Sequence, residues 1–334
     1  MERSLPHIAF ESFPDCNLNC IYCYNHWKRE PRQNHIEYSH RKAKKSLQKL
    51  FQQTKVKRIS FTGGEPLLNR YVEELILISK LNNSKVTIIS NGNSQKDDNY
   101  VHLKKLDVDL LMFPMHSASR ELHDEMTAVK GSWDKSYESI LCAMSLGIYV
   151  VPVIVLTKVN YKEVRKTLVF LNSLSLKRIS VNRYNIGGAG LNSNNVSLSH
   201  SELRETFSTI NETAKEFNLM ISSNVCTPYC VIDPDNYPNL FFGSFGSDQY
   251  KRPITLDTEG NIRACNHSPV IAGNIYKNDI FEILESDYIR SWNTTRPDHC
   301  STCSVYDKCF GGCRAASEQL GKSILHADPI IFNV

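Results

Sequence analysis

The feature that most constrains the fold is a regular alternation of short apolar runs and longer amphipathic stretches along the first 220 residues. The short runs are rich in β-branched and aromatic residues, which favours strands, and they lie at 7–13, 58–62, 85–90, 110–116, 148–156 and 178–184. Stretches with helical periodicity follow them, at 40–54, 71–81, 100–105, 133–146, 161–174 and 199–217. Six strand–helix units predict an α/β fold whose parallel strands are joined by right-handed crossovers.

A parallel sheet of this kind is either doubly wound or curled into a partial barrel, and both arrangements bind ligands at the carboxyl ends of the strands. The sequence changes character after about residue 220, where 233–248 is rich in Pro, Gly, Asn and Ser and cysteines become frequent. A hairpin is predicted over 255–263, turning at 259–261. We therefore expect a large domain at 1–220 and a small one at 221–334, the latter without enough apolar residues for a core of its own.

The chain has eleven cysteines, an odd number that would leave one unpaired in a disulfide framework. No apolar segment of signal-peptide length begins the chain, and the longest apolar run, 146–156, is too short to span a bilayer. We expect a cytoplasmic protein without membrane association, in which clustered cysteines bind metal. The net charge of only +4, from 39 basic and 35 acidic residues, argues against a nucleic-acid partner.

Three cysteines, Cys16, Cys20 and Cys23, follow the first predicted strand with the spacing Cys-x-x-x-Cys-x-x-Cys. Three thiolates this close together can bind one 4Fe-4S cluster, and since such a cluster takes four ligands, one iron stays open for chemistry. The alternative is a structural zinc site with a fourth ligand such as His26.

This motif, with the aromatic Tyr22 before its last cysteine, resembles that of the radical S-adenosyl-L-methionine (radical SAM) enzymes. A second match ends the second strand, where Gly63, Gly64 and Glu65 form the GGE motif of that family. The resemblance implies that the three cysteines hold a 4Fe-4S cluster whose fourth iron is chelated by SAM. It also implies that the GGE motif binds the amino group of SAM, since glycines allow backbone carbonyls to approach a ligand closely.

Weaker matches end three later strands, and the resemblance implies that they face the ribose and carboxylate of SAM. Arg183 is expected to pair with the carboxylate through two hydrogen bonds, although each of these residues also suits a helix cap, a turn or a surface ion pair. The resemblance covers 7 to about 220 and implies a partial (β/α)6 TIM-like barrel. The expected SAM contacts at these strand ends are Ser90, Asn91, Ser117, Asn182 and Arg183.

The cysteines near the C-terminus resemble the SPASM extension of radical SAM enzymes, which carries two auxiliary 4Fe-4S clusters; a pair of zinc knuckles is the alternative. Gly260 stands five residues before the first of these cysteines, and Asp328-Pro329 fits the same pattern. The cysteines that carry the resemblance are Cys265, Cys300, Cys303, Cys309 and Cys313.

Two closed auxiliary clusters need eight ligands, but only seven cysteines remain once Cys142, predicted to be a core thiol, and the three cysteines of the first motif are set aside. We expect Cys226 and Cys230 to join Cys265 and Cys313 in the first auxiliary cluster. The second would then have only Cys300, Cys303 and Cys309. Its fourth ligand would be Asp328, His326 or the substrate, unless that cluster is absent, so one or two auxiliary clusters are expected.

The resemblance implies an enzyme that cleaves SAM reductively to a 5'-deoxyadenosyl radical, which abstracts hydrogen from the substrate. It also implies a flavodoxin- or ferredoxin-type electron donor. Peptide or protein modification, by crosslinking, oxidation or epimerisation, is favoured over a carbohydrate or cyclitol dehydrogenase or epimerase. Because the motif begins at Cys16, we expect no leader-recognition domain before it, so that a separate protein or a short motif would recognise the peptide. A non-enzymatic iron–sulfur or zinc protein is the alternative of another class.

Overall fold

The computed structural model describes residues 3–29, 36–93, 98–192, 196–243 and 248–332. The strands are β1 Ser4–Leu5, β2 Ile8–Phe13, β3 Lys55–Val56, β4 Arg58–Gly63, β5 Lys85–Ile89, β6 Leu110–Pro114, β7 Val150–Leu156, β8 Arg178–Arg183, β9 Met220–Ser223, β10 Leu240–Phe242, β11 Ile254–Asp257, β12 Asn261–Arg263 and β13 Ile271–Asn274. The helices are α1 Ile36–Gln53, α2 Val72–Leu81, α3 Asp98–Lys105, α4 Arg120–Thr127, α5 Ser132–Ser145, α6 Val164–Ser173, α7 His200–Phe217, α8 Ile280–Leu284, α9 Asp287–Thr294, α10 Tyr306–Cys309 and α11 Arg314–Gln319.

One large sheet carries the fold, and its strand order confirms the expected α/β barrel architecture. Among the described residues it has eleven strands in the order β10-β9-β8-β7-β6-β5-β4-β2-β11-β12-β13, while β1 and β3 pair separately. All neighbours from β2 to β9 are parallel. A doubly wound sheet reverses its strand order at a switch point, whereas here the order from β2 to β9 follows the chain without reversal, as a partial barrel requires.

The six predicted strands and the six predicted helices are confirmed, with bounds that differ by a few residues. Within the described residues up to 220, one further helix, α4, was not predicted. It begins after Ser119, whose side chain caps it, and it buries His123, Met126 and Thr127. Only one of these three residues is strongly apolar, so the helix has no apolar stripe that periodicity could detect.

The chain beyond residue 220 extends the sheet at both edges. On one side β9 and β10 continue it, and on the other β11 pairs in parallel with β2, with Ile254 opposite Ile8. The predicted hairpin is confirmed as the antiparallel pair β11 and β12. The division at residue 220 stays a prediction, since the sheet runs across it.

A small second core packs in the cysteine-rich segment, contrary to the expectation that this segment lacks one. Its buried members are Ala264, Ile289, Trp292, Cys313, Ala315 and Ala316. One tryptophan supplies much of the apolar area, which the overall composition of the segment conceals. In the part of the chain that the structure describes, no helix is both long and apolar enough to cross a membrane.

Candidate cluster and cofactor site

The loop that carries Cys16, Cys20 and Cys23 leaves the carboxyl end of β2 and is held by the last turn of α4. The amide of Asn19 donates to the carbonyl oxygen of Thr127 at 3.1 Å, and the amide of Ile21 donates to that of Met126 at 3.0 Å. Leu18, next to Asn19 in this loop, is almost fully buried. The helix that the sequence did not reveal therefore fixes the position of the first three cysteines.

The Gly63-Gly64-Glu65 turn packs directly on the chain that enters this loop. The amide of Gly64 donates to Phe13 O and the amide of Glu65 donates to Asp15 O, both at 2.7 Å. A Cβ on Gly64 would lie 2.0 Å from Asp15 O, and Gly63 has a φ of +116°. The two glycines thus allow the backbone of this turn to lie against the backbone of Phe13 and Asp15. Binding of the SAM amino group by this turn stays a prediction.

The carboxylate of Glu65 joins the carboxyl ends of β4 and β5. It is fully buried, and its two oxygens accept from the amides of Leu67 at 2.9 Å and Asn91 at 2.5 Å. Burial raises the pKa of Glu65 to about 7, against the effect of these hydrogen bonds. The acid of the GGE motif therefore orders the strand ends beside the cysteine loop.

Asn91 reaches the cysteine loop from the end of β5. Its side-chain amide lies 3.7 Å from Cys16 Sγ and donates to Asn17 Oδ1 at 2.8 Å. Its neighbour Ser90 is buried, and its hydroxyl accepts from the amide of Gly92 at 3.1 Å. The structure brings Asn91 to the loop and uses Ser90 to hold the turn, while the roles of both as SAM contacts stay predictions.

Tyr22 is surrounded by the three cysteines. Burial raises its pKa well above the ordinary value, and the adjoining thiols of Cys20, Cys23 and Cys16 raise it further, with a hydrogen bond to Cys20. A hydrogen bond that raises the pKa of a phenol is one in which the hydroxyl donates to the thiolate. The three thiols are therefore gathered around one hydroxyl.

His116, just beyond β6, holds Tyr22 from the other side. Its Nε2 lies 2.6 Å from the Tyr22 hydroxyl, and its Nδ1 accepts from the amide of Val155 at 3.2 Å. Since Nδ1 accepts, the proton of the neutral ring is assigned to Nε2, which donates to Tyr22. Burial lowers the pKa of His116 well below its ordinary value, so the ring is neutral. Periodicity gave no signal for this role, because the pair is 94 residues apart.

Ser117 and Asn182 make contacts within the protein. The carbonyl oxygen of Ser117 accepts from the indole of Trp133 at 2.9 Å, and its hydroxyl accepts from the amide of Ser119 at 3.0 Å. Asn182 Oδ1 accepts from the amide of Asn224 at 2.7 Å. Their roles as SAM contacts stay predictions.

Arg183 is paired within the protein, and its expected contact with the SAM carboxylate stays a prediction. Its guanidinium is 2% exposed and forms an ion pair with Asp328 at 2.5 Å. It also donates to Cys226 O at 2.8 Å and to Thr227 Oγ1 at 3.1 Å. Removing one partner of such a buried pair typically costs about 3–5 kcal/mol. The arginine at the end of β8 thus holds the C-terminal segment to the barrel.

The C-terminal cysteines fall into two groups, of which the first, here the three-cysteine set, is Cys226, Cys265 and Cys313. Burial and then the neighbouring Cys265 thiol raise the pKa of Cys226 to about 12. Burial also raises the pKa of Cys313, which Asp328, Cys265 and Cys226 adjoin. The side-chain amide of Asn185 lies 3.2 Å from Cys313 Sγ.

The second group, here the four-cysteine set, is Cys230, Cys300, Cys303 and Cys309. Burial raises the pKa of Cys300 to about 11, and the thiols of Cys309, Cys303 and Cys230 add to the rise. Burial likewise raises the pKa of Cys230, and the thiols of Cys309 and Cys303 add to that rise too. Cys226 and Cys230 thus adjoin different thiols although only four residues separate them, and the expected grouping of Cys230 with Cys265 and Cys313 stays a prediction.

The two side chains expected to substitute for a missing cysteine have other partners. Asp328 accepts from the amides of Cys313 at 2.7 Å and Ile330 at 3.1 Å, besides its pair with Arg183. His326 is exposed, with its ring nitrogen 3.2 Å from Ser323 Oγ. The carboxylate of Asp328 therefore holds backbone and arginine together beside the three-cysteine set, while His326 lies at the surface.

The donor atoms fit iron–sulfur clusters. Across the described residues, no three His, Cys, Asp or Glu side chains are arranged to hold a single metal ion directly. All three cysteine groups instead present thiols, the ligands that iron–sulfur clusters take. Cys142 packs against the main core, as predicted.

Tyr24, which the sequence analysis did not single out, connects the first cysteine loop with the three-cysteine set. Tyr24 follows Cys23, and its ring lies 4.9 Å from that of His267. Its hydroxyl accepts from the side-chain amide of Asn266 at 2.5 Å. Burial raises the pKa of Tyr24, and the Cys265 and Cys23 thiols add to this effect. Tyr24 therefore lies between the first cysteine loop and the three-cysteine set.

Comparisons with known proteins agree with this geometry. The sequence profile of the radical SAM superfamily matches residues 10–171. The AdoMet-dependent heme synthase of Oleidesulfovibrio alaskensis is 22% identical over 346 residues, covering 97% of this chain and 86% of the relative.

Two solved structures share the fold along almost the whole chain. Streptococcus suis SuiB bound to S-adenosylmethionine has a TM-score of 0.75 at 17% identity, covering 98% of this chain and 77% of SuiB. The structure of anSMEcpe with bound AdoMet has a TM-score of 0.71 at 15% identity, covering 98% of this chain and 94% of anSMEcpe. SuiB has also been crystallised with its precursor peptide SuiA, and anSMEcpe with the Cp18Cys peptide.

Proposed function

Because residues 10–171 match the radical SAM superfamily, we propose that this chain is a radical SAM enzyme that cleaves SAM reductively and removes a hydrogen atom from a peptide or protein substrate. The observation that carries the first part is the position of the loop with Cys16, Cys20 and Cys23, which follows β2 and is held by the hydrogen bonds of the Asn19 and Ile21 amides to the last turn of α4. The motif residues Gly64 and Asn91 lie beside the same loop.

Cys16, Cys20 and Cys23 would hold a 4Fe-4S cluster, which would supply the electron for the reductive cleavage of SAM. The protein's own residues position the parts. Glu65 ties the end of β5 to the GGE turn, which keeps the Asn91 side chain against the loop. His116 orients the Tyr22 hydroxyl toward Cys20.

The peptide substrate is supported by the two neighbours in fold that have been crystallised with peptides. The likeness extends over 98% of this chain and so includes the cysteine-rich segment after the barrel. When the active enzyme is given its peptide or protein substrate, we therefore expect it to remove a hydrogen atom from that substrate. Crosslinking, oxidation and epimerisation would all begin with this step.

A second candidate substrate class is a tetrapyrrole. It is favoured by a specific observation, namely that the heme synthase relative aligns over 97% of this chain, well beyond the superfamily domain at residues 10–171. Both candidates use the same first cysteine loop and the same cleavage of SAM.

Deuterium transfer separates the two candidates before the individual substrate is identified. The reconstituted enzyme, dithionite and unlabelled SAM are incubated with peptides extracted from cells grown in deuterated medium, or with deuterated iron coproporphyrin III. Deuterium in 5'-deoxyadenosine, measured by mass spectrometry, is expected with the peptide fraction. Deuterium from the porphyrin alone would replace the peptide proposal by the second candidate, and the absence of 5'-deoxyadenosine from every reaction would reject both.

A further inference from the structure

We propose that Cys230 completes a four-cysteine cluster site with Cys300, Cys303 and Cys309, and that the auxiliary site with a missing cysteine ligand is the one formed by Cys226, Cys265 and Cys313. The inference rests on the proposed function, since it concerns the auxiliary clusters of the same enzyme. It reverses the grouping expected from sequence, in which Cys300, Cys303 and Cys309 formed the incomplete site.

The backbone next to Cys230 contacts the four-cysteine set directly. The amide of Tyr229 donates to Cys309 Sγ at 3.3 Å. The same turn packs on the loop after α10, because a Cβ on Gly312 would lie 2.5 Å from Pro228 Cγ. The segment that carries Cys230 is therefore in close contact with the loop that carries Cys309.

Two arginines hold the two ends of the 226–231 turn on different sides. Arg183, at the end of β8, donates to Cys226 O at 2.8 Å. Arg204, on α7, donates to Cys230 O at 3.0 Å and to Val231 O at 2.9 Å. The turn between them is closed by the amide of Val231, which donates to Pro228 O at 2.9 Å. These contacts fix the backbone at both ends of the turn, while Cys265 adjoins Cys226 and Cys309 and Cys303 adjoin Cys230.

The other members of the four-cysteine set are held by one further arginine. Arg296 donates to Cys300 O and to Cys303 O, both at 2.8 Å. The set is thus assembled from the 226–231 turn and the 300–309 segment, and four thiols match the four irons of a closed 4Fe-4S cluster. The three-cysteine set leaves one iron without a cysteine from this chain.

Alkylation of the reconstituted protein tests this grouping, because a thiol bound to iron is protected from iodoacetamide. In a Cys300→Ala/Cys303→Ala/Cys309→Ala variant, Cys230 is expected to react about as fast as in the iron-free protein, while Cys226 stays protected. In a Cys265→Ala/Cys313→Ala variant the pattern is expected to invert, with Cys226 reactive and Cys230 protected. Fragment spectra assign the label to each cysteine, so each thiol serves as the matched control of the other.

Protection of Cys230 in the first variant, or its exposure in the second, would overturn the proposal. Exposure of both thiols in both variants would overturn it as well, since the two sets would then not be separable. Iron analysis is a second readout, and about four auxiliary irons are expected to remain in each variant.

The failure of the proposed function would look different. If the proposed function is wrong, the unsubstituted protein forms no 5'-deoxyadenosine even though Cys16, Cys20 and Cys23 are protected from alkylation. The labelling pattern of Cys226 and Cys230 would be unaffected by that result.

Discussion

At the scale of single residues, the hydroxyl of Tyr22 links the barrel to the first cysteine loop. It receives a hydrogen bond from His116 at 2.6 Å and donates one to the thiolate of Cys20. Hydrogen bonds to cluster sulfurs help set the reduction potential of an iron–sulfur cluster, because they stabilise the added negative charge of the reduced state.

Replacing Tyr22 by Phe is therefore expected to lower the reduction potential of the cluster held by Cys16, Cys20 and Cys23. A hydrogen bond worth about 1 kcal/mol corresponds to roughly 40 mV for one electron. The midpoint potential from a titration followed by electron paramagnetic resonance measures this shift. A matched control is Tyr276→Phe, which removes a hydroxyl that lies 2.9 Å from Ser46 Oγ instead. Equal potentials for the Tyr22 variant and the unsubstituted protein would contradict the assignment.

The partly buried His7 predicts a defined pH dependence of stability. Burial, with a smaller effect of the Arg58 charge, lowers its pKa to about 4 from an ordinary value near 6.5. The folded state then binds fewer protons than the unfolded state, so the contribution of His7 to stability is complete above pH 6.5 and is lost as the pH falls toward 4. Between pH 8 and 5.5 the loss is about 1.4 kcal/mol.

His7→Gln is expected to remove that part of the pH dependence, since glutamine keeps a partner for Ser60 Oγ, which lies 2.7 Å from the ring, but does not titrate. Urea unfolding of the reconstituted protein at pH 8 and pH 5.5 measures the difference. An exposed histidine, His102, provides the control as His102→Gln. The same loss of stability with and without His7 would show that the ring is not the group responsible.

The sequence could predict site residues whose partners are close along the chain, but not those whose partners are far away along it. Cys16, Cys20 and Cys23 and the GGE turn are local motifs with fixed spacing, so their position was predictable. Arg183 and Asp328 are 145 residues apart, and no local pattern shows that an arginine at a strand end pairs with a distant Asp-Pro rather than with a ligand.

At the scale of secondary-structure elements, α4 matters most for the site. Its last carbonyl groups hold the amides of Asn19 and Ile21 in the cysteine loop. The strands and the longer helices were predictable because their apolar residues repeat with a clear period. Helix α4 was not, since it is eight residues long and buries a histidine and a threonine beside one methionine.

Removing the N-cap of α4 is expected to loosen the cysteine loop. In Ser119→Ala the hydroxyl that accepts from Leu122 N is lost. Loss of such a cap lowers the stability of the helix by about 1 kcal/mol. The amides of Asn19 and Ile21 are then expected to exchange their hydrogens about fivefold faster. Exchange followed by nuclear magnetic resonance measures it. The control Ser286→Ala removes the equivalent cap of α9 and should leave both amides unchanged. Equal exchange in the two variants would mean that α4 does not hold the loop.

At the scale of the whole molecule, the cysteine-rich segment is built into the sheet instead of following it as a separate unit. Strand β11 pairs with β2, which also leads into the first cysteine loop. Tyr24 lies between that loop and Cys265. The number of strand–helix units was predictable from sequence, but the extension of both sheet edges was not, because β9 to β13 are short strands of three or four residues.

The same long-range packing explains why the cysteines could be counted from the sequence but not grouped. Cys226 and Cys230 are close in sequence, and spacing alone assigns them to one site. Only the folded turn, held at its two ends by Arg183 and Arg204, brings them beside different thiols.

The most direct test of the central claim is the yield of 5'-deoxyadenosine per chain with SAM and dithionite, measured on samples whose iron content is known. With all three cysteine groups loaded, we expect about twelve irons and formation of 5'-deoxyadenosine. The Cys16→Ala/Cys20→Ala/Cys23→Ala variant is expected to keep about eight irons and to form none. Cleavage of SAM by that variant, or none by the fully loaded protein, would contradict the account.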